Sequence, residues 1–179
     1  EIAPFDGAGN SSHGIAVSGE AKFIYLPMLG KDNRIDVLDG RTLEVVQTIK
    51  TLGRPHHHKL WHDPVSGKDL IIGEDFNWNW TGSGFYVIDP SQNNAIVGGL
   101  SRGDFAGNPY VSTAAPDGSF FVVTVPAPIP AFRDEMDGWV AKINPADWKI
   151  TGLVPMIDPL YPVVSVDGKY AYVTSGGEA

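Results

Sequence analysis

The sequence contains no cysteine. That excludes a disulfide, a thiolate-held metal, a cysteine nucleophile, an iron–sulfur cluster and covalent heme attachment, and leaves any metal to His, carboxylate, Met or backbone oxygen. Positive charge is also scarce, with 13 Lys and Arg against 21 Asp and Glu and a formal charge of −8. Such a field repels phosphate backbones and anionic lipid, so neither nucleic acid nor a membrane surface is expected as a partner. The longest apolar runs are about seven residues, against the roughly 20 that a membrane-spanning helix needs, which predicts a chain that works in water. No Walker-type phosphate loop and no GxGxxG is present, and the GSG run at 82–84 lacks the pattern of a nucleophile elbow.

What the chain has in plenty is Gly, 21 residues, and Pro, 14. Spread throughout, they cut it into short segments with no window of clean 3.6-residue periodicity, which predicts an all-β protein. Self-similarity then gives the architecture. Segments 23–26 (FIYL), 70–73 (LIIG), 120–123 (FFVV) and 170–173 (YAYV) recur at spacings of 47, 50 and 50 residues, each after a Gly-containing turn. A second motif repeats in register at 35–46 (IDVLDGRTLEVV), 85–97 (FYVIDPSQNNAIV) and 140–151 (VAKINPADWKIT), two strands around a turn led by Asp39, Asp89 or Asn144. An Asp or Asn at that place bonds its own backbone. Four short strands in about 50 residues are the signature of a β-propeller blade.

The predicted fold is therefore a single partial β-propeller domain over 1–179, with blades at about 13–50, 57–100 and 108–154 and a half blade at 160–179. About three and a half four-stranded blades do not close a ring, and an open arc leaves sheet faces and an edge uncovered. The expectation is a fragment, or one piece of a nicked chain, whose remaining blades come from the rest of a cleaved chain or from a partner chain. A seven-bladed ring fits two halves of this size. The start at Glu1 without an initiator Met suits an exported, processed chain, and a periplasmic or secreted location is expected.

In such a ring the innermost strand of each blade starts at one mouth of the central channel, and ligands collect there. All five histidines lie at or just after two of these starts: His13, His56, His57, His58 and His62. Neutral imidazole without thiolate favours copper or zinc. His13, His57 and His58 are the predicted metal ligands. Because adjacent residues of a strand face opposite ways, His57 and His58 reach one ion only through an irregular strand start. Loops on the same predicted mouth add Lys31, Asp32 and Asn33, Glu74 and Asp75, and Arg133, Asp134 and Glu135. Lys31 is singled out to hold an anionic substrate by charge, and Glu74 and Asp75 as proton carriers or carboxylate ligands. The Trp-rich run 76–82 either walls the channel mouth or packs under a neighbouring blade.

Segments 12–18 (SHGIAVS), 23–26 (FIYL) and 34–39 (RIDVLD) resemble the YVTN/cytochrome-d1-like propeller repeat, along the whole chain. The doublet His57 and His58, with His13 one blade earlier, is similar to the arrangement in the nitrous oxide reductase and thiocyanate dehydrogenase families, seven-bladed propellers with several copper ions on the axis. The resemblance implies that His13, His57 and His58 are copper ligands, that Lys31 lines the substrate site, and that further ligands come from blades outside this chain. Without a cysteine-bearing cupredoxin segment, thiocyanate dehydrogenase is the closer analogue. The implied function is oxidation of a small inorganic anion or gas, thiocyanate first, with electrons passed to an external acceptor such as a cytochrome. Self-association into a homo-oligomer is also expected. The departures are Tyr110 in blade three and Leu160 and Tyr161 in the half blade, where ligands would otherwise stand. The competing readings are a non-enzymatic scaffold propeller whose histidines fill the channel, a nitrous-oxide-reductase-like enzyme, or a propeller housing heme d1 or supporting a quinone enzyme.

Overall fold

The computed structural model describes residues 12–28, 32–76, 84–126 and 138–176. Three four-stranded antiparallel sheets follow one another along the chain, each a simple meander, and a two-stranded sheet ends it. The first sheet holds β1 (Ala16–Val17), β2 (Phe23–Met28), β3 (Arg34–Asp39) and β4 (Val45–Lys50). The second holds β5 (Pro55–His62), β6 (Asp69–Asp75), β7 (Gly84–Asp89) and β8 (Ala95–Ser101), and the third β9 (Val111–Ala114), β10 (Phe121–Val125), β11 (Gly138–Asn144) and β12 (Lys149–Met156). The last pairs β13 (Pro159–Val164) with β14 (Ala171–Ser175). This is the repeat read from the sequence, about three and a half propeller blades. Among the described residues no helix is long and apolar enough to cross a membrane.

The turns form for the expected reason. Asp39 Oδ1 accepts from the backbone N–H groups of Arg41 at 2.8 Å and Thr42 at 2.9 Å, Asp89 Oδ1 from Ser91 at 2.8 Å, and Asn144 Oδ1 from Ala146 at 3.1 Å. Each bond satisfies an N–H that the hairpin ladder leaves without a partner.

Strands of the middle blades read as continuous apolar runs because a blade is covered on both faces. On β6, Ile71 packs with Tyr25, Ile35, Val37, Tyr86 and Ile88 in the seam toward the first sheet. Its neighbour Ile72 faces the other way, with Trp61, Phe85, Phe121, Val123 and Ile143 in the seam toward the third. Each fully buried aliphatic side chain contributes about 1.5–3 kcal/mol. Trp148 closes the outer part of that second seam: its ring meets Gly98, where any Cβ would come within 2.7 Å of it, and stacks on Phe121 with the two planes 5° apart.

One helical turn was not legible as such. Arg102–Phe105 forms α1 between the second and third sheets, with Ser101 and Asp104 bonded reciprocally as a capping box and Phe105 buried in the seam.

Candidate metal centre

The first strands of successive blades converge, and they bring imidazoles together. His13 precedes β1, His56 and His57 lie on β5, and one nitrogen from each of the three falls within 4.8 Å of the others. The rings of His13 and His56 are 4.6 Å apart, those of His13 and His57 4.6 Å, and those of His56 and His57 4.2 Å in an edge-to-face arrangement. Among the described residues this is the one group of three or more potential ligand side chains.

Two adjacent residues of one strand meet here because the strand is irregular at its start. The β5–β6 register shifts between Pro55 and His58. Inside that bulge the alternation of side chains is suspended, so His56 and His57 point to the same ion-sized space. Regular pairing resumes at His58, opposite Gly73. His58 consequently turns into the blade, where its Nε2 meets the Tyr86 hydroxyl at 2.9 Å. The irregular start expected from the sequence exists, but it joins His56, not His58, to His13 and His57. His62, at the far end of the same strand, is exposed and pairs with Asp69 at 2.9 Å.

The donors suit a metal. His56 Nδ1 lies 3.2 Å from the Tyr110 carbonyl; a carbonyl only accepts, so Nδ1 carries the proton and Nε2 is left as the ligand atom. His57 Nε2 is buried without any hydrogen-bond partner, the condition an unfilled ligand shows. Burial lowers the His56 imidazole to about 4, with the neighbouring His13 acting in the same sense, and burial with the charges of His56 and His13 lowers His57 to about 3. Both are neutral at pH 7, as a metal ligand must be. Gly14 (φ +87°) makes room: a Cβ there would sit 2.6 Å from His57 Nδ1. Among the described residues no carboxylate joins the group, so these three ligands alone would leave an ion's charge uncompensated.

Around the imidazoles stands an aromatic wall. Tyr110 lies 4.6 Å from His56 and 6.1 Å from His57, Tyr161 5.8 Å from His57, and buried Phe76 5.7 Å from His56. Tyr110 and Tyr161 are 6.0 Å apart, and burial together with the Tyr161 hydroxyl pushes the Tyr110 phenol up to about 12.

Glu74 and Asp75, expected on a loop, instead end β6 and are buried, because the strand continues pairing through Asp75 with Gly84. Glu74 completes no hydrogen bond at either oxygen. Burial pushes it up to about 8, against the pull of nearby Ser112 and the Lys59 ammonium. Asp75 faces the other seam, where its Oδ2 accepts from Gly53 N–H at 3.0 Å, and burial raises it to about 7. Asp32 is half exposed and paired with Arg34. Lys31, Arg133, Asp134, Glu135 and the tryptophans of the 76–82 run lie outside the described residues. No residue pattern distinguished His56 from His58, since a bulge leaves no residue signature there. Tyr161 was legible as the aromatic next to the repeat position.

Fold and site together define a β-propeller with an imidazole cluster where its innermost strands begin. No sequence-family model matches the chain, and no curated protein matches it. Solved structures do. The chain is similar to hydrazine synthase of Kuenenia stuttgartiensis (TM-score 0.68, 18% identity, 89% of this chain and 42% of that one). It is similar also to the Dos1 propeller (TM-score 0.67, 12% identity, 96% and 44%) and to a 6-phosphogluconolactonase-like protein of Bacteroides uniformis (TM-score 0.66, 14% identity, 93% and 48%). At such identities the likeness is one of fold, and the chain spans less than half the length of each.

Proposed function

We propose that this chain forms part of a copper-dependent oxidoreductase of the periplasm or cell exterior that oxidises a small inorganic anion, thiocyanate first, and passes the electrons to an external acceptor such as a cytochrome. The observation that carries this reading is the convergence of three imidazoles from two blades within 4.8 Å. Three nitrogen ligands without carboxylate or thiolate suit copper. Copper, when bound, supplies one-electron redox chemistry and polarises whatever shares its coordination.

The chain's own residues do the rest. His13, His56 and His57 hold the ion, and the Tyr110 carbonyl orients the His56 ring by accepting from its Nδ1. Phe76 and Tyr110, 5.0 Å apart, exclude water from one side. With imidazoles and no carboxylate among the described ligand residues, the site would favour an anion over a cation. Further ligands, and Lys31 with its charge, belong to the same proposal.

Elemental analysis after copper reconstitution tests it. The expected result is about one copper per chain in the parent and none in His57→Ala, with thiocyanate-dependent reduction of a cytochrome lost in step. A parent that retains no copper overturns the reading.

A further inference from the structure

The inner-strand starts of the three blades and the half blade carry His13, then His56 and His57, then Tyr110, then Tyr161, so the row of side chains that begins as imidazole continues as phenol. The contacts run without a break: His13 to His56 at 4.6 Å, His56 to Tyr110 at 4.6 Å, Tyr110 to Tyr161 at 6.0 Å, and Tyr161 back to His57 at 5.8 Å. Tyr110 is tilted by 35° over His56, while Tyr161 meets His57 edge-on at 83°. A wall made only to exclude water would be served by phenylalanine, as at Phe76. Here two adjacent blades each supply a phenol, with the two rings 6.0 Å apart.

We infer that Tyr110 and Tyr161 form a two-phenol clamp that donates hydrogen bonds to the outer end of a small anion whose inner end is drawn to the His13, His56 and His57 cluster. This rests on the metal reading above and deepens it by naming what selects the ligand. A linear or bent inorganic anion with acceptor atoms at both ends has one end for the ion and one for the phenols. A halide has only one atom for both and gains less from the clamp. A neutral phenol is a strong donor to an anion and keeps its proton while doing so. No bond is made or broken, so the clamp sets affinity and orientation, not the chemistry.

The probe is azide, titrated into the copper-loaded full chain and followed by the absorption band that azide gives on copper. Tyr110→Phe and Tyr161→Phe keep the ring packing and remove one hydroxyl each. The expected result is copper content equal to the parent, azide affinity about tenfold weaker in each variant, and chloride affinity changed far less. Parent-like azide affinity in both variants, with copper retained, overturns the clamp and leaves the metal site standing. Failure of the parent itself to retain copper overturns the metal reading, and the clamp falls with it. Far-ultraviolet circular dichroism and thermal melting of the variants separate a lost hydroxyl from a lost fold. Should either single variant be destabilised, Tyr161→Trp, which fills the same half-exposed position with an N–H donor, is expected to recover azide affinity relative to Tyr161→Phe, and no recovery counts against the clamp.

Discussion

His57 and His58 are neighbours of one residue type on one strand, yet they belong to different parts of the molecule. His57 looks outward from the blade at His13 and His56, with its Nε2 buried and unpartnered. His58 is wholly interior, its Nε2 bonded to Tyr86, and burial lowers it to about 3. The difference comes from backbone, not from side-chain chemistry. A one-residue bulge before His58 lets two consecutive imidazoles share a side, and the return of regular pairing sends the third to the other. Residue type sets which chemistry is on offer, and register sets which residue offers it.

The sharpest way to break the comparison is to remove one ring at a time. His56→Ala should abolish copper retention, whereas His58→Ala should keep it and instead lower stability by roughly 2–4 kcal/mol, because it opens a cavity and removes the Tyr86 hydroxyl's bond to Nε2. Metal content by mass spectrometry and denaturant unfolding of the metal-free protein read the two effects separately. Copper lost from His58→Ala and kept by His56→Ala would reverse the assignment.

A second contrast sets the histidines against the buried acids. Glu74 rises from 4.5 to about 8 and Asp75 from 3.8 to about 7 on folding. Both carboxyls are protonated in the folded and the unfolded chain at low pH. As pH rises the unfolded chain ionises first, so stability is lost until the folded groups ionise as well. The lowered histidines act oppositely, but only below their unfolded value of 6.5. Between about pH 6.5 and 8 the acids therefore act alone, and the metal-free protein should weaken across that window. Glu74→Gln, with Lys59 and Asp75 left in place, should flatten the slope and be the more stable at pH 8, by on the order of 3 kcal/mol. Parallel pH profiles for parent and variant would show that Glu74 ionises freely in the folded state.

The smallest effect is expected at Gly14. Its positive φ suits glycine, and a Cβ would press on His57 Nδ1. Gly14→Ala should cost roughly 1 kcal/mol of stability and weaken copper binding by displacing the His57 ring, while the neighbouring His56 tautomer stays fixed by Tyr110. A competition titration against a chelator reads this shift. Unchanged affinity would show that His57 has slack.

The middle seam and the last sheet make a related point about burial. In the seam between the second and third sheets Phe85, Phe121, Val123 and Ile143 are closed to solvent. On the last sheet, Val163 and Tyr172 are exposed at 61% and 64%, although their strands carry the same repeat. Apolar pattern marks a face as one that a neighbour can cover; only the presence of that neighbour buries it.

How much of this was readable beforehand follows the same division. The propeller was legible because its signals are local and repeated: an apolar four-residue run, a Gly turn before it, and an Asp or Asn whose side chain bonds the N–H two residues on, at a period of about 50 residues. Each of these acts within a few residues of itself, so sequence suffices. The gathering of histidines at the strand starts was legible for the same reason. Which three converge was not, because the bulge at Pro55–His58 answers to pairing with β6 and to Tyr110 of the next blade, a partner 54 residues away. Glu74 and Asp75 were misplaced on a loop because their charge argues for solvent, and only the strand's continued pairing carried them inside. The sequence by itself determined the blade, its turns and the supply of imidazoles. Tertiary structure decided which imidazoles meet, which carboxyls are buried and which phenols complete the ring, since those outcomes depend on contacts between blades that no local pattern encodes.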